Sequence, residues 1–346
     1  MTHAPPGPPH GGRARGRSRS HRRRPRTPWW KRPAVVSAAV LGTIGLVTLA
    51  VVTRSPSAKA HDDDPAADAK ASGPTTAAST APATTAAPTT TAAPTPTALP
   101  TKSPAQAKSE LSAAIKELSD KRGGRLSVAV TELDGDAGVS YDDGSSTYDT
   151  ASIVKVDILA TVLLRHQKAG TTLTSTERSE ATVMIRQSDN DAATALWHAA
   201  GGTSGINAAN KTFGLKHTRA GAGDLWGLTQ TTTADQLALL RVVFGGSDSP
   251  LSEASRTYMK GLMGTVTKGQ QWGASAADED HAGFALKNGW LQRSGTGLWD
   301  INSVGQVQYG GKTLLVCVLS SGNKSEQAGI DKVEAAALAA AKALLS

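Results

Sequence analysis

Three short segments of this 346-residue chain carry residue types suited to acyl transfer: Ser152-Ile153-Val154-Lys155, Ser188-Asp189-Asn190 and Lys287-Asn288-Gly289. A serine hydroxyl is a weak nucleophile at its ordinary pKa and needs a neighbouring base. Lys155 lies three residues after Ser152, so on a helix the two share a face and the amine reaches the hydroxyl. Burial and a nearby cation would depress the amine's pKa and free its lone pair. A helix starting at Ser152 would also point backbone N–H groups at a developing oxyanion. Ser188 and Asn190, between two predicted helices, can hang a hydroxyl and an amide over that site. Lys287 sits on a predicted strand, and Gly289 in such a strand marks a place where a ligand or backbone approaches closely.

Each segment also has a bland explanation. An isolated S-x-x-K is usually structural, and a second copy, Ser321-Gly322-Asn323-Lys324, reads as a turn after a strand. Ser188-Asp189-Asn190 consists of good N-cap residues, although capping and chemistry are compatible. Lys312-Thr313 lacks a following glycine and leaves one strand to complete a sheet, so it is a decoy. The order and context of the three segments, rather than any one of them, carry the signal.

The elements that must position them are legible. Ser103-Pro104 reads as an N-cap and first-turn proline, and Leu111, Ile115 and Leu118 then recur at helical spacing. Leu126, Val128 and Val130 alternate as in a half-buried strand, and Asp134-Gly135-Asp136 turns into a second strand near Val139–Tyr141. Helices are predicted over 152–168, 175–187, 190–200, 204–213, 232–244 and 252–263. Strands follow near 283–291, 298–310 and 312–320, and an Ala-rich helix over 325–345. Strands at both ends around a helical middle give an α+β architecture.

With these motifs in this order, residues 105–346 resemble the class A β-lactamase and penicillin-binding serine hydrolase family. The resemblance implies a β-lactamase/D,D-peptidase-like fold: a five-stranded antiparallel sheet flanked by terminal helices, plus an all-helical subdomain. It implies that Ser152 is the acylated nucleophile and Lys155 its base or relay. Ser188 would pass a proton to the leaving nitrogen, and Asn190 would bind the substrate amide carbonyl and contact Lys155. Lys287 would favour a substrate carboxylate, with Asn288 and Gly289 in the substrate-binding strand. The amides of Ser152 and Trp290 would form the oxyanion hole. The substrate is then a β-lactam or a D-Ala-D-Ala-like peptide, with no cofactor and no metal, and a monomer is expected.

Two departures narrow that expectation. The middle residue of the third motif is usually Thr or Ser, whereas here it is Asn288. The segment that in the family carries a deacylating Glu corresponds to Arg219–Thr231, which has no Glu and only Asp224 as an acid. The interval between Ser152 and Ser188 is also short. Acylation is therefore expected and water activation is not, with Asp224 as the candidate substitute. Three readings follow: a β-lactamase with slow deacylation, a D,D-peptidase-like cell-wall enzyme, and a non-hydrolytic binding module of the same fold. A pure binding module has no need of the full proton-transfer set, which counts against the third.

Composition sets the surroundings. The net charge is +8, and ten basic residues with no acid lie in residues 1–32, so the remainder carries a net −2. The basic character belongs to the tail. Its position before the uncharged run Ala34–Val52 points to membrane topology rather than nucleic acid. Nineteen apolar residues can cross a hydrocarbon core of roughly 30 Å, with Trp29 and Trp30 at the interface. The organisation expected is a cytoplasmic tail over 1–33, a transmembrane signal-anchor over 34–53, an Ala/Thr/Pro-rich disordered linker over 54–103 and the catalytic domain over 104–346. The domain would be extracytoplasmic on a single-pass anchor, or secreted if Ala58-Lys59-Ala60 is a cleavage site. The linker cannot bury enough surface to order itself, and fully extended it would reach roughly 150 Å. Cys317, the one cysteine, lies in an apolar stretch and reads as a small buried hydrophobe. The eight histidines, among them His166, His198, His217 and His281, show no metal spacing. Trp226, Trp272 and Trp290 suit a groove or ordinary packing equally well.

Overall fold

The computed structural model describes residues 102–144 and 147–345. The expected basic tail, the 34–53 anchor and the linker up to residue 101 lie outside the described residues. Within these, no helix is long and apolar enough to cross a membrane.

The chain enters through α1 (Pro104–Arg122), capped as expected by Ser103, with Gln106 closing a capping box. Strands β1 (Arg125–Glu132) and β2 (Gly138–Tyr141) form the expected hairpin. The helical block follows as α2 (Val154–Ala169), α3 (Ser175–Arg186), α4 (Asn190–Ala199), α5 (Gly202–Phe213), α6 (Thr233–Phe244) and α7 (Glu253–Met263). Strands β5 (Ala285–Gln292), β6 (Trp299–Tyr309) and β7 (Lys312–Asn323) then complete an antiparallel sheet of order β2-β1-β7-β6-β5, and α8 (Glu326–Leu345) closes the domain. The predicted elements agree with these to within two or three residues. One exception is the second S-x-x-K segment: Ser321–Asn323 ends β7 rather than following it, because Ser321 still pairs with Arg125.

Two further strands carried no signal in the sequence. β3 (Tyr148–Asp149) and β4 (Gln230–Thr231) form a two-residue ladder, too short for any period to register.

The five-stranded sheet is buried on both faces, so β7 reads as a continuous apolar run rather than an alternation. Leu314, Val316 and Val318 pack under α1 and α8 with Leu111, Ile115, Val333 and Ala336. Leu315, Cys317 and Leu319 face the helical block instead. Small side chains bring α8 close: a methyl on Gly329 would collide with the Ile301 side chain. In α2 every residue from Val154 to Leu164 is buried, so this helix runs through the middle of the block. The consequence for chemistry is that α2 and the β5 edge are both held from several sides.

Candidate active site

The three segments converge where α2, the start of α4 and β5 meet. Lys155, fully buried, places Nζ 3.0 Å from Ser152 Oγ, 3.0 Å from Ser188 Oγ, 2.8 Å from Asn190 Oδ1 and 2.7 Å from the Ser188 carbonyl oxygen. Lys287, also fully buried, donates to Ser188 Oγ at 3.0 Å and to the Asn288 carbonyl at 2.8 Å. The Ser188 hydroxyl thus lies between two amines.

Local backbone explains how these side chains get there. Ser152 stands in a 3₁₀ turn, Ala151–Ile153, that leads into α2 rather than in the first turn of the α-helix itself. In the second motif the two candidate roles are divided among residues. Asp189 is the N-cap of α4, accepting from the Ala192 amide at 2.8 Å, which leaves Ser188 and Asn190 free to face Lys155. Ser188 is held at φ +61°, and Ala151 at φ +47°. Among the described residues only one other non-glycine, His281, has positive φ. Such backbone costs of order 1–3 kcal/mol and persists only where its surroundings over-determine it. Gly289 is required by space: a Cβ there would lie 2.8 Å from the amides of Ser152 and Ile153 and from the Thr150 carbonyl.

The electrostatics favour a neutral Lys155. Burial pushes its pKa well below the ordinary lysine value, and the Lys287 charge pushes it further, against a weaker pull from Asp189. The surrounding oxygens accommodate that state. As a neutral amine, Nζ donates to the Ser188 carbonyl and Asn190 Oδ1, which can only accept, and its lone pair accepts from the Ser152 hydroxyl. Desolvation alone lowers Lys287 to about 7.

A second layer secures the residues before Ser152. Asn302 Nδ2 donates to the carbonyls of Asp149 and Thr150 at 2.9 and 3.1 Å. The Asp149 carboxylate accepts from Gln230 and pairs with Arg293, and Arg293 lies 3.7 Å from Asp300. Burial raises Asp300 to about 6. None of these residues stood out in the sequence, because Asn302, Gln230, Arg293 and Asp300 lie far along the chain from the segment around Asp149 that they brace.

The remaining expected residues separate from the cluster. The Asn288 side chain is fully buried, donating to the carbonyls of Gln270 and Trp272 at 2.8 and 3.0 Å and accepting from Ser303 at 2.6 Å. Its amide braces the wall behind β5 instead of reaching a substrate. Trp290 is half-buried and meets Trp272 edge-on, centroids 6.1 Å apart. Asp224 is drawn to His198 at the C-terminal end of α4, at 3.2 Å in an exposed pair, and no hydrogen bond or ion pair joins it to Ser152, Lys155, Ser188 or Lys287. From the same loop it is Trp226 that reaches the cluster. Its ring stands 4.9 Å from Lys155 Nζ and its indole N–H donates to Thr194 at 3.1 Å.

Comparisons with known proteins bear on the family and the fold. The model of a family described as the Beta-lactamase enzyme family matches residues 164–344, which include the second and third motifs and begin downstream of Ser152. Among curated proteins, "Putative lipoprotein LppW" of Mycobacterium tuberculosis and of Mycobacterium bovis is 28% identical over 151 residues, 42% of this chain. The aligned region spans 48% of that relative, about half its length. Among solved structures, the TLA-1 extended-spectrum β-lactamase aligns at a TM-score of 0.62 with 16% identity, over 69% of this chain and 100% of that one. A β-lactamase from Xanthomonas campestris pv. campestris aligns at 0.58 with 19% identity, over 70% and 99%.

Proposed function

The chain belongs to the Beta-lactamase enzyme family, and from that premise we propose that it is a serine acyl-hydrolase that forms an acyl-enzyme on Ser152 with β-lactams or related cell-wall amides and releases it slowly. The observation that supports this most strongly is Lys155 Nζ within 3.0 Å of both Ser152 Oγ and Ser188 Oγ in a fully buried setting. In the proposed step Ser152 Oγ bonds to the carbonyl carbon as its proton passes to Lys155. The C–N bond then breaks, and the leaving nitrogen takes a proton through the Ser188 hydroxyl, which Lys155 resupplies. The oxyanion would be received by the amides of Ser152 and Trp290. While protonated, Lys287 holds the Lys155 pKa down.

Slow release follows from the 219–231 loop. It presents an indole face to Lys155, and its one carboxylate, Asp224, is paired with His198. An ester without a positioned base beside its water turns over slowly. The same observation favours a second reading, a D,D-peptidase-like enzyme that penicillins acylate and block. The domain would work outside the cytoplasm, held by segment 34–53. The lipid implied by the name of the mycobacterial relative is not carried over, since the one cysteine, Cys317, is buried in β7.

The test is an intact-mass time course of the full chain with benzylpenicillin, followed by a nitrocefin chase. A persistent adduct that disappears in Ser152→Ala is expected. Rapid nitrocefin hydrolysis would overturn slow release, and a folded protein with no adduct would overturn the acyl-enzyme.

A further inference from the structure

β5 pairs with β6 on one side and ends the sheet, so its other edge is open among the described residues. Along it, Lys287 and Gly289 alternate with Asn288 and Trp290, which point to the opposite face. Where a hydroxyl would be expected for a substrate carboxylate, the Asn288 amide donates to the backbone carbonyls of Gln270 and Trp272. That bond fixes the backbone of Trp272, whose ring meets Trp290 at an interplanar angle of 61°. Edge-to-face pairs of this kind hold each other in place and leave flat apolar surface for a ligand.

The corner they form lies on one side of the cluster. Lys287 Nζ is 6.0 Å from the Trp290 ring centroid and 3.0 Å from Ser188 Oγ. Lys287 Nζ thus lies between the Trp290 ring and the hydroxyl that would protonate the leaving nitrogen. Cationic help for a carboxylate is thin there. Lys287 is fully buried and already donates twice, and Arg293, farther along the chain, is paired with Asp149 and Asp300.

We propose that Trp272 and Trp290 are the specificity wall on the leaving-group side of the Ser152 site, selecting acyl donors whose leaving half carries an uncharged ring over those that carry a carboxylate. This rests on the acyl-enzyme reading of Ser152. Removing a packed aromatic contact changes selectivity by about tenfold.

The test measures the rate of Ser152 adduct formation by intact mass on the full chain. One series comprises benzylpenicillin, its methyl ester and its benzyl ester. A second series comprises thioesters of one acyl group that release either benzyl mercaptan or mercaptoacetate. The ring-bearing donor is expected to react at least as fast as the acid in each series. Trp290→Ala and Trp272→Ala should lower the ring-bearing donors about tenfold and the others less than threefold, and Trp290→Phe should recover most of the loss. Faster reaction of the acids, or an equal fall for every donor, would overturn the wall. If no lactam labels Ser152 but the thioesters do, the lactam reading falls and the thioester pair alone decides the wall. If neither series labels Ser152, both fall. Should the alanine variants not fold, the donor ranking of the native chain together with Trp290→Leu decides between the outcomes.

Discussion

The Ser152 corner and the 219–231 loop meet at Lys155 and are built in opposite ways. Around Ser152 the two lysines are fully buried and each bonds more than one oxygen, and Ala151 and Ser188 are held at positive φ beside them. The loop brings an aromatic face to Lys155, while its only acid sits at the surface with His198. Under the proposed function, forming the ester draws on the first region, where Lys155 Nζ lies 3.0 Å from both Ser152 Oγ and Ser188 Oγ. Breaking it would call on a water and a base, and the second region has no Glu and commits its one carboxylate, Asp224, to His198. Under that proposal the two halves of the hydrolytic cycle have separate structural requirements.

Lys155→Met is the sharpest way to break this comparison. It keeps apolar volume but removes the lone pair, and the acylation rate measured by adduct mass should fall about 10³-fold. An effect under tenfold would remove Lys155 as the base. Gly289→Ala comes next, since the added carbon meets three backbone atoms at 2.8 Å. Overpacking of this kind costs about 1–3 kcal/mol, so the melting temperature should drop by about 2–4 °C per kcal/mol and acylation about a hundredfold. Normal labelling would mean that β5 can retreat from Ser152.

Lys287 gives a pH test of intermediate size. Acylation should rise with pH as Lys155 loses its proton and fall as Lys287 loses its own near 7, giving a bell-shaped profile. Lys287→Arg, charged throughout, should remove the falling limb. In stability the sign is opposite to that of a paired lysine. Its folded pKa, about 7, lies below the ordinary 10.5, so the unfolded chain binds more protons between these values and stability rises with pH across that window. Lys287→Met should therefore melt several degrees higher than the native chain at pH 6, with the gap closing towards pH 10. An unchanging gap would discard the buried-charge cost. The smallest effect belongs to the loop: Asp224→Asn should alter deacylation less than threefold, and a tenfold fall would restore Asp224 as the base and erase the contrast.

Much of the site was legible before the fold. Ser152, Lys155, Ser188, Asn190 and Lys287 announce themselves because chemistry restricts residue type and helix geometry restricts spacing. Asn288 and Asp224 look like functional residues in the sequence because each occupies a motif position. In the structure both are diverted by nearer partners, backbone carbonyls in one case and His198 in the other. Arg293, Asp149, Gln230 and Asn302 gave no signal, since a brace between distant segments has no local period.

By itself the sequence determined the α+β order of elements, the three motifs, the missing Glu in the 219–231 loop and the uncharged run at 34–52. These depend on side-chain type and on periods of two or 3.6, which are local properties. Tertiary structure alone decided that Lys155 and Lys287 share one hydroxyl, that the Asn288 amide is taken up by backbone carbonyls, and that the Trp226 ring lies beside Lys155. Those outcomes depend on which groups lose water together, and burial is a property of the assembled chain.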